Sequence, residues 1–235
     1  MKGSMRAPGK NHPLVGAWLV TRWAQPGGVC ADPMIGVGGL WLRTNGTVGR
    51  LYGCEIEPGL CALARDNLPA GVLVLSQGDA RSWKPPEPVN MVLFSPPFLQ
   101  NHSAGATAHQ QEIRERKRLH TMQEFGSDPA NLGSTKSQGF WSGMGLIYKQ
   151  ARLYLAGGGH LAVVLRNRIR KRRETNEVGE HIRLIRGAGF DLVGVHPRDL
   201  DPRYPARIRP VVLSGIGPTL EAASRALRWC AFEVL

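Results

Sequence analysis

A short apolar run, Val29–Asp32, opens directly into Pro33-Met34-Ile35-Gly36-Val37-Gly38-Gly39, and no other stretch constrains the fold so tightly. Glycines at 36, 38 and 39 let a backbone turn sharply and approach a ligand that a Cβ would repel. A second apolar run, Leu51–Glu55, then ends on an acidic residue 19 positions after Gly36. In nucleotide-binding α/β folds, a carboxylate about 20 residues past such glycines accepts hydrogen bonds from ribose hydroxyls. A glycine loop alone reads equally well as a structural turn. Its place between a strand and a correctly spaced acid favours the nucleotide reading.

The rest of the chain keeps the same rhythm. Strands are expected at Val29–Asp32, Leu51–Glu55, Val72–Ser76, Met91–Ser95, His160–Leu165, Leu192–His196 and Trp229–Leu235. Helices are expected at Leu14–Ala24, Glu57–Asn67, Gly139–Leu155 and Val178–Ala188; in the last, Val178, Ile182 and Ile185 share a face and Gly189 follows as a C-cap. This alternation predicts an α/β fold with a mostly parallel seven-stranded sheet and helices on both faces. At 235 residues, with no repeat and no long Gly/Ser or Pro tract, a single domain over 1–235 is expected. Two stretches break the rhythm. A long polar loop is inserted at about 100–138, and a basic loop occupies 166–175 directly after a strand.

The 30 Lys and Arg outnumber 18 Asp and Glu, for a net charge of +12, which favours a polyanionic partner. Much of that charge is concentrated. Arg166, Arg168, Arg170, Lys171, Arg172 and Arg173 fall within eight positions, and Arg114, Arg116, Lys117 and Arg118 lie in the polar insertion. Both runs are candidate phosphate contacts, and both read also as solvated loops. Cys30, Cys54, Cys61 and Cys230 form no CxxC pair, so disulfide and zinc frameworks lack support. The spacing of His102, His109 and His120 fits a polar loop, and no metal site is expected. With no apolar run long enough to span a membrane and no apolar signal core near Met1, a cytoplasmic location is expected.

Two further motifs carry chemistry. Gly78-Asp79-Ala80 lies just past the third strand, where Asp79 could accept from an adenine amino group or serve as a turn residue. Asn90–Phe94 runs into Ser95-Pro96-Pro97-Phe98. Two prolines stiffen that turn and remove two N–H donors. The Ser95 hydroxyl and Pro96 carbonyl remain as acceptors beside the Phe98 ring. Such a corner suits a planar base with an exocyclic NH2, whose hydrogens meet the two oxygens while its face stacks on the aromatic ring.

The ordered set DPMIGVGG, GCEIEP, GDA and SPPF resembles the S-adenosylmethionine-dependent DNA amino-methyltransferases, which modify cytosine N4 or adenine N6. Asn131-Leu132-Gly133, the Phe140–Tyr148 helix and Leu155–Val164 also have counterparts there, so the likeness runs over about 12–196. It implies a class I methyltransferase (Rossmann-like) fold and S-adenosylmethionine as cofactor. Asp32, Pro33, Met34, Gly36 and Gly38 would cradle its methionine part. Glu55 and Ile56 would meet the ribose side, and Asp79 and Ala80 the adenine. Ser95, Pro96, Pro97 and Phe98 would hold the target base as the catalytic corner. Met34 and Gly39 differ from the family, which commonly has Phe and a hydroxyl residue at those positions. Double-stranded DNA is the implied partner, with room for a cognate restriction endonuclease. A Ser at the head of the motif is more typical of cytosine-N4 enzymes, so N4 is preferred over adenine N6. Carbon-5 methylation is disfavoured because it needs a cysteine nucleophile, typically after proline, whereas these four follow Val29, Gly53, Leu60 and Trp229. An RNA base methyltransferase and a nucleic-acid-binding protein with a degenerate cofactor pocket stay open as rivals.

Overall fold

The structure, a computed structural model, describes residues 13–44, 46–99, 128–165, 167, 169–170, 173–196 and 211–215. Its strands are β1 (Gly28–Asp32), β2 (Val48–Glu55), β3 (Leu73–Gln77), β4 (Val89–Phe94), β5 (Leu155–Val164), β6 (Ile169–Arg170), β7 (Arg173–Glu174), β8 (Asp191–His196) and β9 (Val211–Gly215). The helices are α1 (Pro13–Trp23), α2 (Pro58–Asn67), α3 (Ser137–Tyr154) and α4 (Glu177–Gly187). Seven strands form one sheet in the order β3-β2-β1-β4-β5-β9-β8. The β1–β2, β1–β4, β2–β3 and β4–β5 pairs are parallel, whereas β9 runs antiparallel to both β5 and β8.

Strand period 2 decides which residues face which layer. Cys30, Met91, Leu93, Ala162 and Val164 pack on one side with Val15, Leu19 and Val20 of α1 and Ala64 of α2. Ala31, Val92, Phe94, Leu161 and Val163 pack on the other with Phe140, Met144, Ile147 and Tyr148 of α3 and Ile185 of α4. The central strands are therefore apolar on both faces, as expected of a parallel sheet covered by helices. Burying one such Leu or Phe side chain is worth roughly 1.5–3 kcal/mol, which makes this double layer the main source of stability.

The helices follow local rules. Pro58 starts α2 at a position whose N–H has no helical partner anyway. Asn176 caps α4 by accepting from the Gly179 amide, and Glu177 and Glu180 sit in its first turn, favourably for the helix dipole. α3 buries Phe140, Met144, Ile147, Tyr148 and Ala151 at helical spacing. Between α3 and α4 the Tyr148 hydroxyl lies 2.7 Å from His181 Nδ1. Burial pushes the His181 imidazole down to about 3, so this buried pair is neutral throughout the physiological range.

The structure adds one strand and corrects two expectations. An antiparallel strand beside β5, Val211–Gly215, is not among those expected; the expected strand Trp229–Leu235 lies outside the described residues. The basic stretch after β5 is not simply a loop: Ile169–Arg170 and Arg173–Glu174 pair as a short antiparallel ladder. β5 starts at Leu155 rather than His160, because the Gly157-Gly158-Gly159 stretch continues the strand across a register shift opposite β4. The end of the polar insertion also carries secondary structure, with a 3-10 turn at Leu132–Ser134 and the start of α3 at Ser137.

Candidate functional site

The strand order reverses between β1 and β4, and in open α/β sheets that switch leaves a crevice beyond the carboxyl ends. β1 and β4 are register partners at Ala31 and Val92, so Asp32 ends β1 level with Leu93 and Ser95 follows two residues farther along the neighbouring strand. β2 and β3 deliver Glu55 and Asp79 to the same edge, with the Gly78 amide bonded to the Glu55 carbonyl at 3.0 Å.

Asp32 is 2% exposed, and both carboxyl oxygens are used. One accepts from the Met34 amide at 2.9 Å and the other from Trp41 Nε1 at 2.7 Å. Burial raises its pKa to about 7, outweighing those hydrogen bonds, with the neighbouring Glu55 adding to the rise. Gly36 turns at φ 56° and Gly38 at φ 79°, values L side chains rarely adopt. A Cβ at Gly36 would point into open space, whereas one at Gly38 would meet Leu68 Cδ1 at 2.7 Å. Gly38 therefore serves close packing on α2's far end, and Gly36 leaves room. Pro33 and Ala80 are buried, and Met34 and Ile56 half-buried.

Glu55 holds the turn in place. Its Oε2 accepts from the Gly36 amide and its Oε1 from the Glu57 amide, each at 2.9 Å. Burial raises its pKa against those bonds. Asp79 behaves in the opposite way. Burial pushes its pKa up, but hydrogen bonds and charge from Arg81 outweigh that and hold it below the usual carboxylate range.

At the diproline corner the Ser95 hydroxyl donates to the Val164 carbonyl at 3.0 Å, across from β4 to the end of β5. Its hydrogen is thereby committed, and its lone pairs remain to accept. Pro96 is buried, and Pro97 and Phe98 are half-buried. Asp32, Gly36, Glu55, Asp79 and Ser95 thus lie at or just past the carboxyl ends of four neighbouring strands. The thiols near this edge are not poised for nucleophilic attack. Burial pushes Cys30 up to about 12 and Cys54 higher still, and Cys54 Sγ donates to the Gly78 carbonyl. Cys230 lies outside the described residues.

The basic candidates are only partly placed. The backbone of Arg170 pairs with Arg173 beyond the carboxyl end of β5. Arg166, Arg168, Lys171 and Arg172 lie outside the described residues, as do Arg114, Arg116, Lys117, Arg118 and the histidines at 102, 109 and 120. The root of the ladder is tied down by Asn167, whose Oδ1 accepts from the Val178 amide at 2.9 Å. Among the described residues no group of His, Cys, Asp or Glu could hold a metal ion, and no helix is long and apolar enough to cross a membrane.

Several residues at the site escaped the sequence reading. Trp41 reaches back nine positions to Asp32, and Glu57 accepts from the Asp128 amide at 3.0 Å and Asn131 Nδ2 at 2.8 Å. Arg81 forks onto Asp79 and donates to the Ala130 carbonyl at 3.0 Å. Only Arg81 carried a local signal, an acid and a base two positions apart.

No protein-family model and no curated protein matches the chain. Solved structures do. TrmN from Thermus thermophilus aligns over 89% of this chain and 50% of its own, with TM-score 0.56 and 17% identity. This chain thus spans half the length of that protein. A precorrin-6y C5,15-methyltransferase from Geobacter metallireducens aligns over 87% of this chain and 88% of its own, with TM-score 0.52 and 12% identity. The glycopeptide N-methyltransferase MtfA, crystallised with S-adenosyl-L-methionine, covers 92% and 99%, with TM-score 0.53 and 14% identity. The strand order, the antiparallel β9 and these likenesses together establish the class I methyltransferase, Rossmann-like fold.

Proposed function

We propose that this protein is an S-adenosylmethionine-dependent methyltransferase that modifies the exocyclic amino group of a nucleic-acid base, cytosine N4 in double-stranded DNA being the preferred target. The observation that carries the reading is the Ser95 hydroxyl, its hydrogen committed to the Val164 carbonyl at the mouth of the β1/β4 switch.

The residues at that edge fit the cofactor. Gly36 leaves open space where a side chain would stand, and Asp32, Glu55 and Asp79 supply acceptors along one line of strand ends. Asp32 and the Gly36–Gly38 turn would hold the methionine part, Glu55 and Ile56 the ribose, and Asp79 and Ala80 the adenine. When bound, the cofactor supplies an electrophilic methyl group on a sulfonium.

The rest of the chemistry belongs to the protein. An exocyclic amino nitrogen on a base is a weak nucleophile because its lone pair is delocalised into the ring. Ser95 and the Pro96 carbonyl would accept its two hydrogens, favouring a pyramidal nitrogen and placing acceptors where positive charge develops. Phe98 would hold the ring face. Extruding a paired base costs a few kcal/mol, which the basic hairpin region after β5 would help offset by gripping phosphates.

The test is transfer of labelled methyl groups to duplex DNA and, in parallel, to RNA, with mass spectrometry of the released nucleosides. N4-methylcytosine in DNA is expected, reduced roughly 10²-fold in rate by Ser95→Ala. N6-methyladenine would overturn the choice of base, a methylated base in RNA alone would overturn DNA, and transfer to neither would overturn the reading.

A further inference from the structure

Asp79 carries more hydrogen bonds than a turn residue needs, and among the described residues Arg81 supplies those that bind its carboxylate. The Arg81 amide donates to Oδ1 at 2.9 Å, and Nε lies 2.9 Å from both Oδ1 and Oδ2. Nη2 lies against Oδ2 as the second tine of the fork. A carboxylate offers about four lone-pair sites, and three donors from one residue leave about one of them for anything else. Arginine suits this task because its planar fork matches a carboxylate in two places at once.

The same guanidinium reaches a second element. Nη2 donates to the Ala130 carbonyl at 3.0 Å, 49 positions along the chain. Residues 128–133 are wound tightly around that contact. Asp128 Oδ1 accepts from the Ala130 amide, the Asp128 carbonyl from the Asn131 amide, and Asn131 Oδ1 from the Gly133 amide, at 2.8–2.9 Å. Glu57, two residues past Glu55, accepts from the Asp128 amide and Asn131 Nδ2 on the other side. The segment leading into α3 is thus clasped to the ends of both β2 and β3.

We propose that Arg81 is a positioning residue: it fixes Asp79 as a single oriented acceptor, ties the 128–131 segment to that carboxylate, and so makes the site select 6-amino over 6-oxo purine nucleosides. This rests on the reading of the β2/β3 edge as the nucleoside side of the cofactor site. An adenine amino group offers an N–H to the remaining lone pair. A 6-oxo group at the same place sets an oxygen against a carboxylate, and a site built to receive a hydrogen bond rejects the partner that lacks the donor. An Asp79 free to rotate would discriminate less, because it could turn away from the oxygen.

Calorimetric titration with S-adenosylhomocysteine and with its inosine analogue, S-inosylhomocysteine, tests the role. The wild-type protein should prefer the adenine compound by about tenfold or more. Arg81→Gln should cut that preference at least about threefold, and Arg81→Lys, which keeps the charge but loses the fork, should fall between. Hydrogen exchange of the 128–133 amides should quicken in Arg81→Gln without any ligand. A purely structural Arg81 would weaken both compounds equally, so an unchanged preference overturns the proposal while leaving the cofactor site standing. Failure of the wild-type protein to bind either compound overturns the cofactor reading itself.

Discussion

Asp32 is the residue with most at stake in its surroundings. Two N–H donors bind it, yet burial still lifts its pKa from 3.8 to about 7. In the unfolded chain the group loses its proton near its ordinary value. The folded state keeps that proton to about pH 7, so between these limits the folded state binds more protons. Stability from this group is therefore full at low pH and is lost as pH rises from about 4 to about 7. Asp32→Asn removes that titration. Thermal unfolding of the two proteins at about pH 5 and about pH 8 should show the variant gaining relative to wild type at the higher pH, by on the order of 1–3 kcal/mol. An equal difference at both values would mean Asp32 is ionised throughout. The same argument gives Asp32 its use: a cationic ligand group beside it would favour the carboxylate that burial disfavours. Glu55 and Asp79 divide the remaining work, Glu55 fixing the Gly36 amide and Asp79 held by Arg81. The acids were legible in the sequence because each stands at or just past the end of an apolar run in the neighbourhood of glycines. Their partners were not. Trp41 and Asn131 find the acids only after the chain has turned back on itself, and no local spacing encodes that. Arg81 sits two positions from Asp79, but its reach to Ala130 is equally invisible in the sequence.

Among the elements, β1, β2, β4 and α1–α4 follow from period 2 and period 3.6 within a few residues. β9 escaped because Val211-Val212-Leu213 is too short an apolar run to be told from a helical fragment. Its position between β5 and β8 is a tertiary fact, fixed by pairing at Val163–Val212 and Val195–Val212. α1 meets the 3-10 turn Gly39–Trp41 so closely that a Cβ at Gly16 would overlap the Leu40 carbonyl oxygen. That close approach locks the segment beside the glycine turn to the first helix. The β6–β7 ladder lies within the basic stretch to which the proposed function assigns phosphate contacts. Replacing Arg166, Arg168, Arg170 and Arg172 by Ser should weaken DNA binding at low salt. The slope of log K against log salt should flatten by roughly 0.9 for each phosphate that is no longer neutralised. Fluorescence anisotropy across a salt series reads both, and an unchanged slope would remove this hairpin from the interface.

On the scale of the whole molecule, a parallel sheet with one strand-order reversal gathers residues from four strands along a single edge, whatever their distance in the chain. Asp32, Glu55, Asp79 and Ser95 span 64 positions of sequence and lie at or just past the ends of β1, β2, β3 and β4 in turn. Helices cover both faces of the sheet, and under the proposed function the net charge of +12 would draw nucleic acid toward the molecule. The claim on which all of this rests is that the edge holds an adenosyl-methionine ligand. Titration with S-adenosylhomocysteine tests it most directly. Binding of one molecule per chain is expected, weakened about tenfold or more by Gly36→Val, which fills the open space at the turn, and by Glu55→Ala, which releases it. Absence of binding to the folded wild-type protein, or binding indifferent to both substitutions, would contradict the account.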